Sequence, residues 1–344
     1  MAKAVRFGIP ELRCELLSLH LRHTFTIARS SEDVAESVVV RLLADEVEAI
    51  GESAPIGRYG EDARAVMREL GEVDLGGVDL LRIDTALARV PADRLGARCA
   101  LDLALHDYAG KRLGVPVYRL LGLDPDAAKL TSFTIGIADI DTMVAKTRDA
   151  AHLPILKVKV GVGGEIETLE ALRSVYRGTI RVDANEGWEP EEAVRVLKEL
   201  ARFDLEFCEQ PIAAGSPEKM RYVRERSPIP IMADESCRTA ADIGALAGCV
   251  DGIVIKLVKS GGIREAVVMA HAARTLGMKI MIGCMIESSL LATAGAHLTP
   301  LVDFADLDGP LLVTDDPFVG VRFEDARLRL PDAPGLGVRL KNSA

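Results

Sequence analysis

Long apolar runs, cysteine pairs and basic clusters are all missing from this chain of 344 residues. No apolar stretch approaches the ~20 residues that a membrane-crossing helix needs. Nothing behind Met1-Ala2-Lys3-Ala4-Val5-Arg6 has the apolar centre of a secretory leader. The six cysteines are scattered and no CxxC occurs. They read as reduced thiols of a cytoplasmic protein, not as a disulfide framework or a zinc site. Net charge is −10, with no dense run of Lys or Arg, so nucleic acid and anionic membrane are poor partners. No GxGxxG follows a strand-like run: Gly161-Val162-Gly163-Gly164-Glu165-Ile166 has the wrong third position. His20, His23, His106, His152, His271 and His297 form no HxH or HExxH, and no nucleophile elbow is present.

What is there is a globular balance, 49% apolar and 27% charged, in a length sufficient for roughly two domains of ~150 residues. Residues 11–21 and 36–50 hold two strand-like runs, the second rich in β-branched side chains at Val38-Val39-Val40. The polar segment Thr24 to Asp33 between them reads as a loop. Ala and Leu at helical spacing in Arg98 to Ala109 predict a helix that Gly114 and Pro116 end. From about residue 130 the texture changes. Short β-rich runs recur near 130–137, 155–161, 180–185, 205–210, 229–234, 252–257, 279–284 and 304–308, most intervals holding a helical pattern. Strand, helix, strand at constant period means parallel strands with helical crossovers. The expected class is α/β, a (β/α)-barrel compact enough to lack one helix; an open doubly wound sheet is the alternative. The tail after about 315, rich in Gly, Pro and Arg, is expected to pack back on the N-terminal part.

In such a barrel, functional groups gather at the C-terminal strand ends. Lys157 and Lys159 alternate onto one face of the second strand. Pointing inward they need a negative partner; on a solvated edge they would not. The third, fourth and fifth strands end at Asp183, Glu209 and Asp234. Any one of them could be a loop start or a helix cap. Three in register on consecutive strands would gather three carboxylates, which suits a hard divalent cation such as Mg2+. Lys256 lies inside the sixth strand, across a closed barrel from Lys159, while Lys259 lies beyond it beside Gly261-Gly262 and reads as exposed. On the eighth strand Asp306 and Asp308 share a face, suited to a cationic group on a ligand or to a turn before Gly309-Pro310. Acids, metal and opposed lysines fit removal of a proton next to a carboxylate and its return on the other face, through an enediolate.

The motifs Lys157-Val158-Lys159, Asp183-Ala184-Asn185, Glu209-Gln210-Pro211, Ala233-Asp234-Glu235-Ser236 and Lys256 through Gly262 resemble the muconate-lactonizing subgroup of the enolase superfamily. The resemblance implies a modified (β/α)7β TIM-type barrel over 126–314 under an α+β capping domain over 1–125, with the 315–344 tail on the cap. It implies Asp183, Glu209 and Asp234 as Mg2+ ligands, Lys159 and Lys256 as the acid/base pair, and Lys157 as the lysine that steadies the enolate. Asp306-Leu307-Asp308 resembles the DxD motif of dipeptide epimerases, which binds the α-ammonium of a dipeptide. The expectation is then a dipeptide epimerase, with L-Ala-D/L-Glu as the reference substrate. Thr134 and Arg29 complete the expected substrate contacts, Arg29 lying where related epimerases meet a glutamate carboxylate. The second capping loop offers Arg58 but also Glu61 and Asp62, which with Glu287 and the net charge of −10 leave a cationic dipeptide as an alternative; a cycloisomerase or o-succinylbenzoate synthase-like lyase on the same scaffold is another. The expected partner is a small dipeptide, in a homo-oligomer with neither nucleic acid nor membrane.

Overall fold

The computed structural model describes residues 10–341. Residues 1–9 and 342–344, which hold the first residues of the expected cap and the last of the expected tail, lie outside them. Among the described residues no helix is long and apolar enough to cross a membrane.

The chain opens with a three-stranded antiparallel sheet, β1 (Glu11–Ile27), β2 (Ser30–Ala44) and β3 (Val47–Ser53). Two sequence expectations are corrected here. Thr24 to Asp33 is not a loop: β1 runs on to Ile27, turns at Ala28-Arg29, and pairs Phe25 with Glu32 and Thr26 with Ser31. The strand is disguised because its cross-strand pairs are polar. Thr24 Oγ1 donates to Asp33 Oδ1 at 2.6 Å, and the Thr26 and Ser31 hydroxyls are 2.7 Å apart. Nor is 36–50 one run, since it is split by a two-residue turn at Asp45-Glu46. Both turn residues are left-handed (φ 50° and 65°), as a tight hairpin requires, and no glycine marks the place. A register shift between His20 and Phe25 re-aims the β1–β2 tip.

Helices α1 (Ala63–Gly71), α2 (Ile83–Leu87), α3 (Leu95–Leu113) and α4 (Val117–Leu120) follow. Asp62 caps α1, accepting from Ala65 N at 2.7 Å. The α3 helix ends at the left-handed Gly114, as its sequence predicts. It is buried on all sides from Leu95 through Ala97 and from Cys99 to Gly110 because it lies between the cap sheet and the barrel helices.

The barrel alternates β4 (Phe133–Ile135), α5 (Ile140–Asp149), β5 (Ile155–Lys159), α6 (Glu165–Val175), β6 (Thr179–Asp183), α7 (Pro190–Leu200), β7 (Leu205–Glu209) and α8 (Pro217–Arg224). It continues with β8 (Ile231–Ala233), α9 (Ala240–Leu246), β9 (Gly252–Lys256), α10 (Leu257–Ser260), α11 (Ile263–Thr275), β10 (Lys279–Gly283), α12 (Ser289–Ala296), β11 (Phe304–Asp306) and α13 (Gly309–Leu312). The eight strands pair in chain order, all parallel, and the Thr131–Ala305 bridge brings the first strand against the last. This is the modified barrel with a separate cap sheet that the sequence predicts. Leu156, Val158, Ile180, Val182, Ile253 and Ile255 face the helices and form the main core. The alternate residues point inward. Low in the barrel Phe207, Met232, Val254 and Met281 make a small apolar plug, with the Arg181 guanidinium 5.1 Å from the Phe207 and Phe304 rings. The tail touches both bodies: Asp315 accepts from His20 N at 2.8 Å in the cap, and Ala326 O accepts from Thr131 N at 2.8 Å in the barrel.

One contact sets the seat of α3. A Cβ on Gly51 of β3 would lie 2.1 Å from the Ala100 carbonyl oxygen of α3. Gly51→Val is expected to destabilise the protein by about 3 kcal/mol, read as a lowered urea midpoint with an unchanged slope.

Candidate active site

Alternation along the barrel strands brings ionised side chains together above the apolar plug. Lys157 Nζ lies 2.8 Å from Glu209 Oε2, 2.8 Å from Asp306 Oδ2 and 3.1 Å from Asp183 Oδ2. Lys159 Nζ donates to Asp183 Oδ2 at 2.6 Å and to Asn185 Oδ1 at 3.0 Å. Lys256 Nζ donates to Asp234 Oδ2 at 2.7 Å. All of these side chains are buried. β5 and β9, which carry Lys159 and Lys256, are four places apart in the ring of eight, on opposite walls. Gly283 of β10 leaves room for the Lys256 stem, since a Cβ there would lie 3.3 Å from Lys256 Cε.

Lys259 corrects the sequence reading. It is buried, not exposed, and its Nζ donates to Asp234 Oδ1 at 2.6 Å, to Cys237 O at 2.8 Å and to Asp234 O. The chain enters α10 directly after Lys256. A spacing of three then places Lys259 on the same side one turn later, a signal present in the sequence once the helix start is known. Asn185 and Glu235, absent from the expected set, also face the site: Asn185 Nδ2 donates to Glu235 Oε1 at 3.4 Å.

Burial and charge divide the acids into two classes. For Asp183, burial would raise the carboxyl, but the ammonium groups of Lys159, Lys157 and Lys256 outweigh it and hold it well below its ordinary value. The same contest, with Lys256 and Lys259, depresses Asp234. Glu209 goes the other way: burial and then the Asp183 charge push it up to about 8. Its two carboxylate oxygens are buried and accept no hydrogen bond, and the ammonium in contact with them is that of Lys157. Asp306, despite burial, is held low by Lys157 and accepts from Ser132 Oγ at 2.6 Å. Asp308 has the Thr134 amide at 2.6 Å and the Cys284 thiol at 3.9 Å where Asp306 has an ammonium. Burial and the Asp306 charge push it up to about 7.

Asp183, Glu209 and Asp234 stand on or just beyond adjacent strands and offer oxygen only. Among the described residues no three acids, histidines or cysteines enclose a common point, because each acid turns to an amine. The unbonded oxygens of Glu209 are nonetheless what an incoming hard cation would satisfy, so the donor set fits a divalent ion chemically.

A cleft of about 650 Å³ opens above the lysines, between the β1–β2 tip and the loop around Ile56. Arg29 lines it, with Nη1 2.6 Å from Glu235 Oε1 and 3.4 Å from Glu186 Oε2. Arg58 grips Glu186 with both oxygens at 2.8 Å. Of the other charges weighed from sequence, Glu61 accepts from Gly96 N at the start of α3 and Asp62 caps α1. Glu287 is buried and accepts from Met285 N at 3.1 Å.

Residues 140–344 match the enolase C-terminal domain-like family, and residues 15–122 the N-terminal domain of the mandelate racemase / muconate lactonizing enzyme family. The chain is 40% identical over 327 residues to an L-Ala-D/L-Glu epimerase of Bacteroides thetaiotaomicron, covering 93% of this chain and 85% of that one. It is 39% identical over 338 residues to an L-Ala-D/L-amino acid epimerase of Pedosphaera parvula, covering 94% and 97%. The crystal structure of a dipeptide epimerase from Cytophaga hutchinsonii, complexed with Mg and D-Ala-L-Val, is similar with a TM-score of 0.91 at 28% identity, covering 97% of each chain.

The raised Asp308 carboxyl has a consequence for stability. Between its ordinary value of 3.8 and about 7, the folded state holds a proton that the unfolded state has lost. Stability is therefore lost as pH rises through that window. Asp308→Asn removes the cost and keeps an acceptor for Thr134 N. Its advantage in melting temperature is expected to grow from pH 5 to pH 7, reaching on the order of 5 °C, and to level off above.

Proposed function

Because the chain belongs to the enolase superfamily, in its mandelate racemase / muconate lactonizing enzyme group, we propose that it is a Mg2+-dependent dipeptide epimerase of the L-Ala-D/L-Glu type. The observation that carries this reading is a pair of buried lysines on opposite barrel walls, Lys159 and Lys256, with acids between them.

Asp183, Glu209 and Asp234 would hold the Mg2+, which when bound stabilises negative charge on a substrate carboxylate. Lys157 faces the same charge from below, its ammonium kept protonated by three carboxylates that outweigh its burial. One of Lys159 and Lys256, in its neutral form, takes the α-proton of the C-terminal residue; the other, as an ammonium, returns a proton to the opposite face. The α-carbon inverts, the two amines exchange protonation states, and solvent resets them. Asp308, buried without an ammonium partner, receives the α-ammonium of the N-terminal residue, and Asp306 stays with Lys157. The Thr134 amide holds the Asp308 carboxylate in place. Asp308 separates this reading from a cycloisomerase or an o-succinylbenzoate synthase-like lyase, whose substrates bring no cation.

Side-chain preference turns on Arg29. A glutamate side chain in the cleft would approach a guanidinium already paired to Glu235 and Glu186. That pairing favours a second reading, an epimerase of neutral or cationic dipeptides. Comparing L-Ala-L-Glu with L-Ala-L-Leu and L-Ala-L-Lys separates the two.

In D2O, a dipeptide library is expected to take up deuterium at the C-terminal α-carbon with inversion; no exchange with any dipeptide would sink the assignment. Lys159→Ala and Lys256→Ala are each expected to lower epimerisation by at least about 1,000-fold, and full turnover in either rejects the two-base scheme. Asp308→Ala is expected to cut kcat/KM for dipeptides by roughly 100-fold. Chelation by EDTA should abolish activity and added Mg2+ restore it.

A further inference from the structure

Lys259 is a buried amine that the scheme above does not use. Its side chain is wholly shielded from solvent, and its three N–H groups have three oxygens: Asp234 Oδ1, Asp234 O and Cys237 O. The other oxygen of the same carboxylate, Oδ2, takes Lys256 Nζ at 2.7 Å. One carboxylate is thus shared between two lysines one helical turn apart, and the two are not alike. Lys256 borders the cleft. Lys259 is fixed from behind, because two of its acceptors are backbone carbonyls that cannot turn away. The turn after α10 is fixed as well. Gly261 and Gly262 are left-handed (φ 90° and 111°), and a Cβ on Gly262 would meet Asp102 of α3 at 2.4 Å.

The geometry points to Lys259 as a positioning residue. It is a counter-ion that locks Asp234 by Oδ1 and the main chain and leaves Oδ2 to the Lys256 side. That oxygen is then held ready for a divalent cation, and Lys256 is set beside it for its turn in proton transfer. This rests on the proposed roles of Asp234 and Lys256.

Binding of Mn2+ to Lys259→Met, followed by the electron paramagnetic resonance of the free ion, tests it without any substrate. Partners that orient a metal ligand are typically worth 10–100-fold in affinity. The dissociation constant is expected to rise at least about tenfold. If Lys259 were only a neutralising charge, its loss would relieve repulsion and tighten Mn2+ binding. Unchanged or tighter binding overturns the proposal. Should the Met variant not fold, Lys259→Gln keeps two donors without the charge and is expected to weaken binding to a smaller degree; wild-type affinity there overturns it too. A second readout is face-specific. Deuterium uptake by the epimer that depends on Lys256, identified with Lys256→Ala, should slow at least about tenfold more than uptake by the other. Equal slowing of both faces would mean a merely structural lysine. If the wild-type protein exchanges no dipeptide, the epimerase reading fails and the Mn2+ measurement still decides the role of Lys259.

Discussion

One ammonium group, that of Lys157, balances three carboxylates in the middle of the barrel. Burying an ion costs several kcal/mol unless its partners lie at contact distance, and the site is organised around that condition. Beneath Lys157, Phe207, Met232, Val254 and Met281 exclude water and make the low-dielectric floor on which the ion pairs act at full strength. Above it the acids differ in how completely they are answered. Asp183 and Asp234 each meet two ammonium groups, whereas Glu209 shares one. The unequal sharing, more than the count of charges, gives the centre its chemical character: one carboxylate is left in need of a cation while its neighbours are fixed as anions.

The cap supplies what the barrel lacks. A barrel mouth lined only with lysines and acids would bind many small carboxylates. The β1–β2 tip carries Phe25, Ile27 and Arg29 over that mouth, and the bulge before Phe25 aims them there. The Arg29, Glu186 and Arg58 chain of ion pairs then ties the tip to the loops beyond β6 and β3. That hairpin is covalently remote from the lysines, and Arg29 is joined to Lys159 through Glu235 and Asn185.

Much of this could be read before any coordinates. The barrel strands were legible because parallel strands buried on both faces repeat as short apolar runs at constant period, and their inward acids fall at the same point of each run. Lys157 and Lys159 were legible from alternation, and Lys256 from its place inside an apolar strand run. The hairpins were not. Thr24, Thr26 and Ser31 hide strand pairing behind polar side chains, and Asp45-Glu46 makes a left-handed turn without glycine. Lys259 escaped because its burial depends on a one-turn helix that begins without a break after β9. Arg29 was expected in a loop and sits in the turn between β1 and β2; its ion pair with Glu235 joins residues far apart in sequence, which no local pattern encodes.

The α3 helix has no solvent-facing side of its own over its central turns. It rests on β3 through Gly51 and Ala100, and on the other side Asp102 accepts from Ile263 N at the first turn of α11. A wall common to two rooms cannot be rebuilt for one of them alone. Grafting the cap of a relative onto this barrel would have to carry α3 with it, and α3 would then have to suit a foreign α10 and α11. Diversification in a molecule built this way is channelled into the hairpin tip, where changes disturb neither core.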